Sequence, residues 1–284
     1  MTLEPDDSLP GLRELLAFYA EAGVDDALVE EAPDRFAEAE RAAQQAAQAA
    51  VAPPVAEDRT AMQRQPAVAA PPRPAATAAV PDETQIALAR QRAAEARTLD
   101  ELRQQLADFD GCNLKTTAKN LVFADGNPEA DVMLVGEAPG RDEDLEGLPF
   151  VGRSGQLLDR ILTAIGLDRQ SAYIANVIPW RPPGNRTPTP QETEICRPFI
   201  ERQIELANPK VLVTLGGPSA KLLLRTADGI LRLRGKWSTH TTAAQVAIPT
   251  MPTLHPAYLL RNPAHKKLAW RDFLEVKAKL RSLS

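Results

Sequence analysis

The sequence predicts an α/β fold, a three-layer sandwich with a central four-stranded parallel sheet between layers of helices. Four short, largely apolar runs, at 131–135, 172–177, 210–215 and 248–253, have the length and hydrophobicity of strands buried on both faces, the last being the least apolar. Segments with helical apolar spacing, at 154–165, 190–207 and 217–225, separate them, and another at 263–281 follows the last. Strands alternating with helices form a parallel sheet covered on both faces. Three of the runs also lead into turn-forming polar residues. Open α/β sheets deliver functional loops to their carboxyl edge in this way.

Along the chain, residues 1–40 are read as a helical N-terminal segment, with Leu12, Leu15, Leu16, Phe18 and Tyr19 near helical spacing and Gly23 as its stop. Residues 41–83 are dominated by Ala and Pro, as in Ala70-Pro71-Pro72-Arg73-Pro74. Such a composition buries too little apolar surface to offset chain entropy, so this stretch is expected to be a disordered spacer without chemistry. A catalytic domain follows over 84–284, opening with a polar helix that leads to Leu102 and Leu106. Its first strand, Val132-Met133-Leu134-Val135, ends in Gly136-Glu137-Ala138-Pro139-Gly140, then Glu143-Asp144 and Gly147-Leu148-Pro149-Phe150-Val151-Gly152. Acids stand where a phosphate cradle would carry Lys, which argues against a nucleotide P-loop. The second strand ends at Asn176 and leads into Trp180-Arg181-Pro182-Pro183-Gly184-Asn185-Arg186. After the fourth comes His255-Pro256-Ala257-Tyr258-Leu259-Leu260-Arg261.

The net charge of −5 looks unsuited to a nucleic-acid enzyme until it is divided along the chain. Residues 1–98 carry 9 Lys and Arg against 17 Asp and Glu, whereas residues 228–284 carry 10 against 3. Phosphate contact depends on local basic surface, although terminal Lys and Arg are equally common on a solvated helix face. No apolar run approaches the roughly 18 residues of a membrane span, and the acidic amino terminus lacks the features of a signal peptide. A cytoplasmic, nucleoid-associated monomer is the expectation. The two cysteines, Cys112 and Cys196, make neither a disulfide framework nor a four-ligand metal site.

Taken together, the three loops resemble the uracil-DNA glycosylase superfamily, in its family-4 branch, over residues 110–275. The four strands match the parallel sheet of that superfamily. The resemblance implies a DNA N-glycosylase that flips uracil out of DNA and hydrolyses its N-glycosidic bond, starting base excision repair. Such chemistry leaves a sugar with oxocarbenium character and a base departing as an anion. The enzyme must extrude the nucleotide, read the base edge and stabilise charge on the leaving group.

The residue types fit those tasks. Phe150 can offer a flat face to a flipped base, although a Phe beside a Val is more often a core residue. Asn176 carries an amide that donates to one carbonyl and accepts from one imide N–H, which matches uracil and mismatches cytosine. Without its motif, Asn176 reads as a turn residue closing a strand. An imidazole at His255 can donate to the base O2 as negative charge develops there. His240 and His265 lack such a setting and are assigned to the surface. The superfamily places a leucine wedge at Leu259, with Leu260 as the competing candidate. Arg261, and the loop of Arg232, Arg234 and Lys236, are placed to meet phosphates.

Resemblance also sets Glu137 and Ala138 beside the base and the attacking water, and Glu143 where relatives exclude the thymine methyl. Asp142, Glu143, Asp144 and Glu146 could equally be solvated loop acids, so the general base stays unassigned. Family-4 members hold an iron–sulfur cluster through four cysteines. Cys112 and Cys196 occupy two of those positions, whereas Phe109 and Trp180 stand at the others. Four good ligands are needed, so no cofactor is expected and the aromatics are taken as an apolar plug. A related branch traps the sugar through a His whose position here is Asn185, so covalent trapping is not expected.

Two other functions remain open on sequence: a glycosylase of altered base range (hypoxanthine or xanthine), and a non-catalytic DNA-binding module keeping the fold. The acidic N-terminal segment is a candidate tether to a protein partner.

Overall fold

A computed structural model gives the architecture, and it describes residues 82–283. The N-terminal segment and all of the Ala/Pro-rich stretch except its last two residues lie outside the described residues. Two helices open the described chain, α1 (Asp82–Glu95) and α2 (Leu99–Ala107). Thr98 caps α2 by accepting from the Glu101 N–H at 3.1 Å, which satisfies one of the donors that every helix start leaves unpaired. A short strand β1 (Ala124–Gly126) precedes the first long apolar strand, β2 (Val132–Gly136), which is followed by α3 (Arg141–Glu146) and α4 (Arg153–Ile165). The central part contains β3 (Tyr173–Asn176), α5 (Pro190–Ala207), β4 (Val211–Leu215), α6 (Gly217–Leu224) and α7 (Ile230–Leu233). A β5–β6 hairpin (Ser238–Thr241 and Ala247–Thr253), α8 (Pro256–Arg261) and α9 (Lys266–Leu283) complete the fold.

The sheet order is β1-β3-β2-β4-β6-β5. The four inner strands are the expected ones and run parallel, with Gly136 opposite Asn176 in the β2–β3 register. Two antiparallel edge strands extend this sheet to six, which corrects the four-stranded expectation. Neither edge announces itself in sequence, because Ala124-Asp125-Gly126 and Ser238-Thr239-His240-Thr241 contain no apolar run. The short helices α3, α7 and α8 were likewise not expected.

Alternation along the inner strands divides the core in two. Met133, Val135, Tyr173, Ala175 and Leu212 pack towards α1, α2 and α5. Val132, Leu134, Ile174, Val213 and Met251 pack towards α4 and α9, with Phe273 and Val276. Burial on both faces explains why these strands read as largely apolar runs. A capping box begins α5: Thr189 accepts from the Glu192 N–H at 3.2 Å, and the Glu192 carboxylate accepts from the Thr189 N–H at 2.8 Å.

Candidate active site

Strand order reverses about β2, and the carboxyl ends of β2, β3 and β6 meet at a cavity of about 380 Å³. Glu137, Ala138, Glu143, Phe150, Asn176, His255 and Arg261 all line it. Sequence reasoning had not marked its other wall residues Ser154, Arg186 and Tyr258. Gly136, at the end of β2, lies against two of these side chains: an added Cβ would lie 2.3 Å from Asn176 Oδ1 and 2.6 Å from Phe150 Cζ. Any larger residue there would displace one of those side chains.

Phe150 is buried, and its φ of 56° lies in the left-handed region that bulky residues avoid. Conformations of this kind cost on the order of 1–3 kcal/mol and persist where their surroundings determine them. Here Arg169 donates to the carbonyls of both Pro149 and Phe150. From the other side α4 comes so close that a Cβ on Gly155 would fall 1.6 Å from the Phe150 oxygen. Thus held, the Phe150 ring stacks on the His255 imidazole with centroids 5.5 Å apart and planes 29° from parallel.

Asn176 is buried at the end of β3, yet neither its Oδ1 nor its Nδ2 has a hydrogen-bond partner. A buried amide left unpaired costs about 1–3 kcal/mol. In a cavity wall, that cost is removed by a ligand presenting one acceptor and one donor side by side.

His255 caps α8. The Ala257 N–H donates to His255 Nδ1 at 3.1 Å, so Nδ1 acts as acceptor and a neutral ring carries its proton on Nε2. Burial, reinforced by the positive charge of Arg261, lowers the imidazole pKa from 6.5 to about 4. At neutral pH the ring is an uncharged donor.

The acids separate into different environments. Glu137 borders the cavity, and burial pushes its carboxyl above the usual carboxylate range. Two of the four loop acids read as solvated are buried. Glu143 turns inward, its two oxygens accepting from the Gly140 and Gly152 N–H groups at 3.1 Å each. Asp144 accepts from the Lys119 and Asn120 N–H groups at 2.7 and 3.2 Å. Asp142 and Glu146 are exposed.

The uracil DNA glycosylase superfamily model matches residues 123–274, just over half of the chain and all six strands of the sheet. The chain belongs to that superfamily. Its relatives include the type-4 uracil-DNA glycosylase of Saccharolobus solfataricus, 41% identical over 60% of this chain and 81% of the relative. Those of Archaeoglobus fulgidus and Thermotoga maritima are each 41% identical, over 58% and 55% of this chain and 84% and 79% of theirs. The protein is a DNA N-glycosylase, a hydrolase of the bond between base and sugar, and DNA is its substrate. Among the described residues no helix is long and apolar enough to cross a membrane.

Of the residues expected to face DNA, Leu259 and Arg234 depart from expectation. Leu259 is only 1% exposed and packs with Leu254 and Ala269, so it has no surface to insert into a duplex, whereas Leu260 is 37% exposed. Arg234 is committed inward: its guanidinium pairs with buried Asp272, donating through Nε to Oδ2 at 3.0 Å, and with the Leu268 carbonyl at 2.9 Å. Thr253 donates to the same Asp272 at 2.7 Å, tying α7 and β6 to α9. Arg232 and Lys236 are exposed, the former paired with Asp228 at 3.2 Å. His240, expected at the surface, is buried on the β5 edge with Nδ1 2.9 Å from the Leu223 carbonyl. His265 is half-buried against the Tyr258 hydroxyl at 2.8 Å.

At the family's cluster positions, Cys112 and Cys196 are buried free thiols with sulfurs 3.9 Å apart. Buried Phe109, its ring tilted against that of Phe199 with centroids 5.2 Å apart, and buried Trp180 belong to the same apolar cluster. Among the described residues no group of three or more Cys, His, Asp or Glu converges on one point. The residues present therefore do not fit a four-thiolate cluster.

Proposed function

We propose that this chain is a monofunctional uracil-DNA glycosylase that works without an iron–sulfur cluster. The observation carrying the reading is the unpaired, buried Asn176 amide set beside Phe150 and His255 in one cavity. Uracil extruded from DNA stacks on Phe150, accepts from Asn176 Nδ2 through O4 and donates N3–H to Oδ1. Cytosine would set its exocyclic amine against the Asn176 N–H₂ and leave both unpaired. As the glycosidic bond lengthens, charge accumulates on the base, and the neutral His255 donates from Nε2 to O2. In this reading the substrate's phosphates and the carboxylate of Glu137, which lines the cavity, stabilise the positive character that develops on the sugar. Glu137 also orients the attacking water in this reading, while Glu143, fixed by two backbone N–H groups, occupies the space a thymine methyl would need.

Leu260 takes the wedge role in place of Leu259, and Arg261, Arg232 and Lys236 meet phosphates. Residues 1–81 act as a tether to a partner in a cytoplasmic, nucleoid-associated enzyme.

The test is release of free base from oligonucleotides carrying a single uracil, hypoxanthine, xanthine or thymine. Uracil alone is expected to be released. His255→Ala and Asn176→Ala should each lower the rate about a hundredfold or more, the usual cost of losing a donor to a developing anion. Release of a purine in preference to uracil would overturn the specificity, and no release at all would overturn the catalytic reading.

A further inference from the structure

Arg169 lies outside the cavity, in the connection between α4 and β3, yet it holds more groups than any residue that touches substrate in the proposed reading. Its Nε donates to Asp159 Oδ1 on α4 at 2.9 Å, and one terminal nitrogen reaches Asp125 on the β1 edge. That nitrogen also donates to the Pro149 carbonyl at 3.1 Å, and the other donates to the Phe150 carbonyl. Two carboxylates thus fix the guanidinium plane from behind, while its front edge takes two successive carbonyls. Phe150 holds the left-handed conformation, with φ at 56°, while its carbonyl and that of Pro149 both accept from the guanidinium. The absent Cβ of Gly155 leaves the second carbonyl the room it needs.

We propose that Arg169 is the positioning residue for the base platform: its fork locks the Pro149–Phe150 peptides so that the Phe150 ring lies against His255 and over Gly136. This inference rests on the glycosylase reading for its functional consequence, but not for its geometry. The role calls for a planar fork rather than a positive charge. Lys presents three donors from one point and cannot span two carboxylates and two carbonyls together. Arg169→Lys should therefore behave nearly as badly as Arg169→Met.

The experiment measures three quantities in wild type, Arg169→Lys, Arg169→Met and Asp159→Asn, the last removing one rear support at a half-exposed position. The first is the single-turnover rate on a uracil oligonucleotide. The second is inhibition by free uracil, and the third is affinity for an oligonucleotide with an uncleavable abasic analogue. A misplaced platform should slow base release and raise the uracil inhibition constant about tenfold each, the scale of one lost stacking contact. Affinity for abasic DNA should stay within about twofold, since no base occupies the platform. Asp159→Asn should show the same pattern at smaller size. Arg169→Lys matching wild type in all three, or a loss shared equally with abasic DNA affinity, would overturn the proposal.

One further readout separates failure of this inference from failure of the glycosylase reading. The Phe150 ring, 5.5 Å from the imidazole, shifts the His255 Cε1–H resonance by its ring current. Loss of that shift in Arg169→Lys supports the positioning role even in a protein that releases no uracil. An unchanged shift in that variant overturns it.

Discussion

At the residue scale, the site depends on side chains whose polarity is left unsatisfied or whose charge is suppressed. Asn176 keeps an unpaired amide at the end of a fully buried strand, and His255 keeps a neutral ring beside a cationic Arg261. The second of these has a measurable signature. An unfolded His titrates near 6.5, whereas the folded His255 titrates at about 4, so the unfolded chain binds the extra proton first as pH falls. The ring therefore contributes nothing to pH-dependent stability above about 6.5 and opposes folding increasingly as pH drops from there to about 4. Below that the cost is constant, at most ~3 kcal/mol for a shift of this size. Histidine NMR of the native protein should give a midpoint near 4 for His255, and uracil release should show no acid limb at 6.5 assignable to it. His255→Gln should lose less stability than wild type between pH 6.5 and 4 in denaturant titrations. A native midpoint near 6.5 would mean that the imidazole is not desolvated and that the neutral-donor mechanism lacks its basis.

At the element scale, the loop after α3 is shaped by how closely α4 approaches it. A Cβ at Gly155 would sit 1.6 Å from the Phe150 oxygen, a backbone atom that cannot rotate away. Gly155→Ala should therefore cost about 1–3 kcal/mol through the strain of an overpacked contact and should slow uracil release, as read by thermal unfolding and the base-release assay. Wild-type stability and rate in this variant would show that the platform is looser than its contacts imply. The same segment shows what sequence could convey. The four parallel strands were legible because burial on both faces makes them largely apolar, β6 least so because Pro249, Thr250, Pro252 and Thr253 interrupt it, and the loops after β2, β3 and β6 were legible as the turn residues ending such runs. The edge strands were not, being short and polar. Phe150, Asn176 and His255 were marked by the loop motifs around them and by the family resemblance those motifs carry. The roles of Arg234 and Arg169 depend on partners 38 residues away in one case and 10, 19, 20 and 44 in the other, so no local pattern displays them. For Leu259 and Leu260, both leucines fit the motif, and only the packing of α8 decides which one turns inward.

At the scale of the whole molecule, the α1, α2 and α5 side of the sheet is where the proposed reading puts apolar packing in place of a metal centre. There Phe109, Trp180, Phe199, Cys112 and Cys196 close into one apolar cluster continuous with the core beneath β2 and β3. The cluster joins the first helices to the α5 layer by hydrophobic packing, the task that a multi-cysteine metal centre would otherwise perform. If packing is sufficient, the two thiols act as small apolar groups. Cys112→Ala with Cys196→Ala then removes only two buried sulfur atoms. By analogy with other large-to-small core changes, that costs about 1–3 kcal/mol in total, and neither cysteine lines the cavity. The double variant should fold and should release uracil at close to the wild-type rate. Elemental analysis of the parent purified without oxygen should give no iron, with no absorbance in the visible range. Phe109→Ala should be the more damaging change, at about 3–5 kcal/mol, because the aromatic volume and not the sulfur fills the space. Iron in the parent, or collapse of the cysteine double variant alongside a tolerant Phe109→Ala, would reverse that order and restore a metal-centred account of this layer.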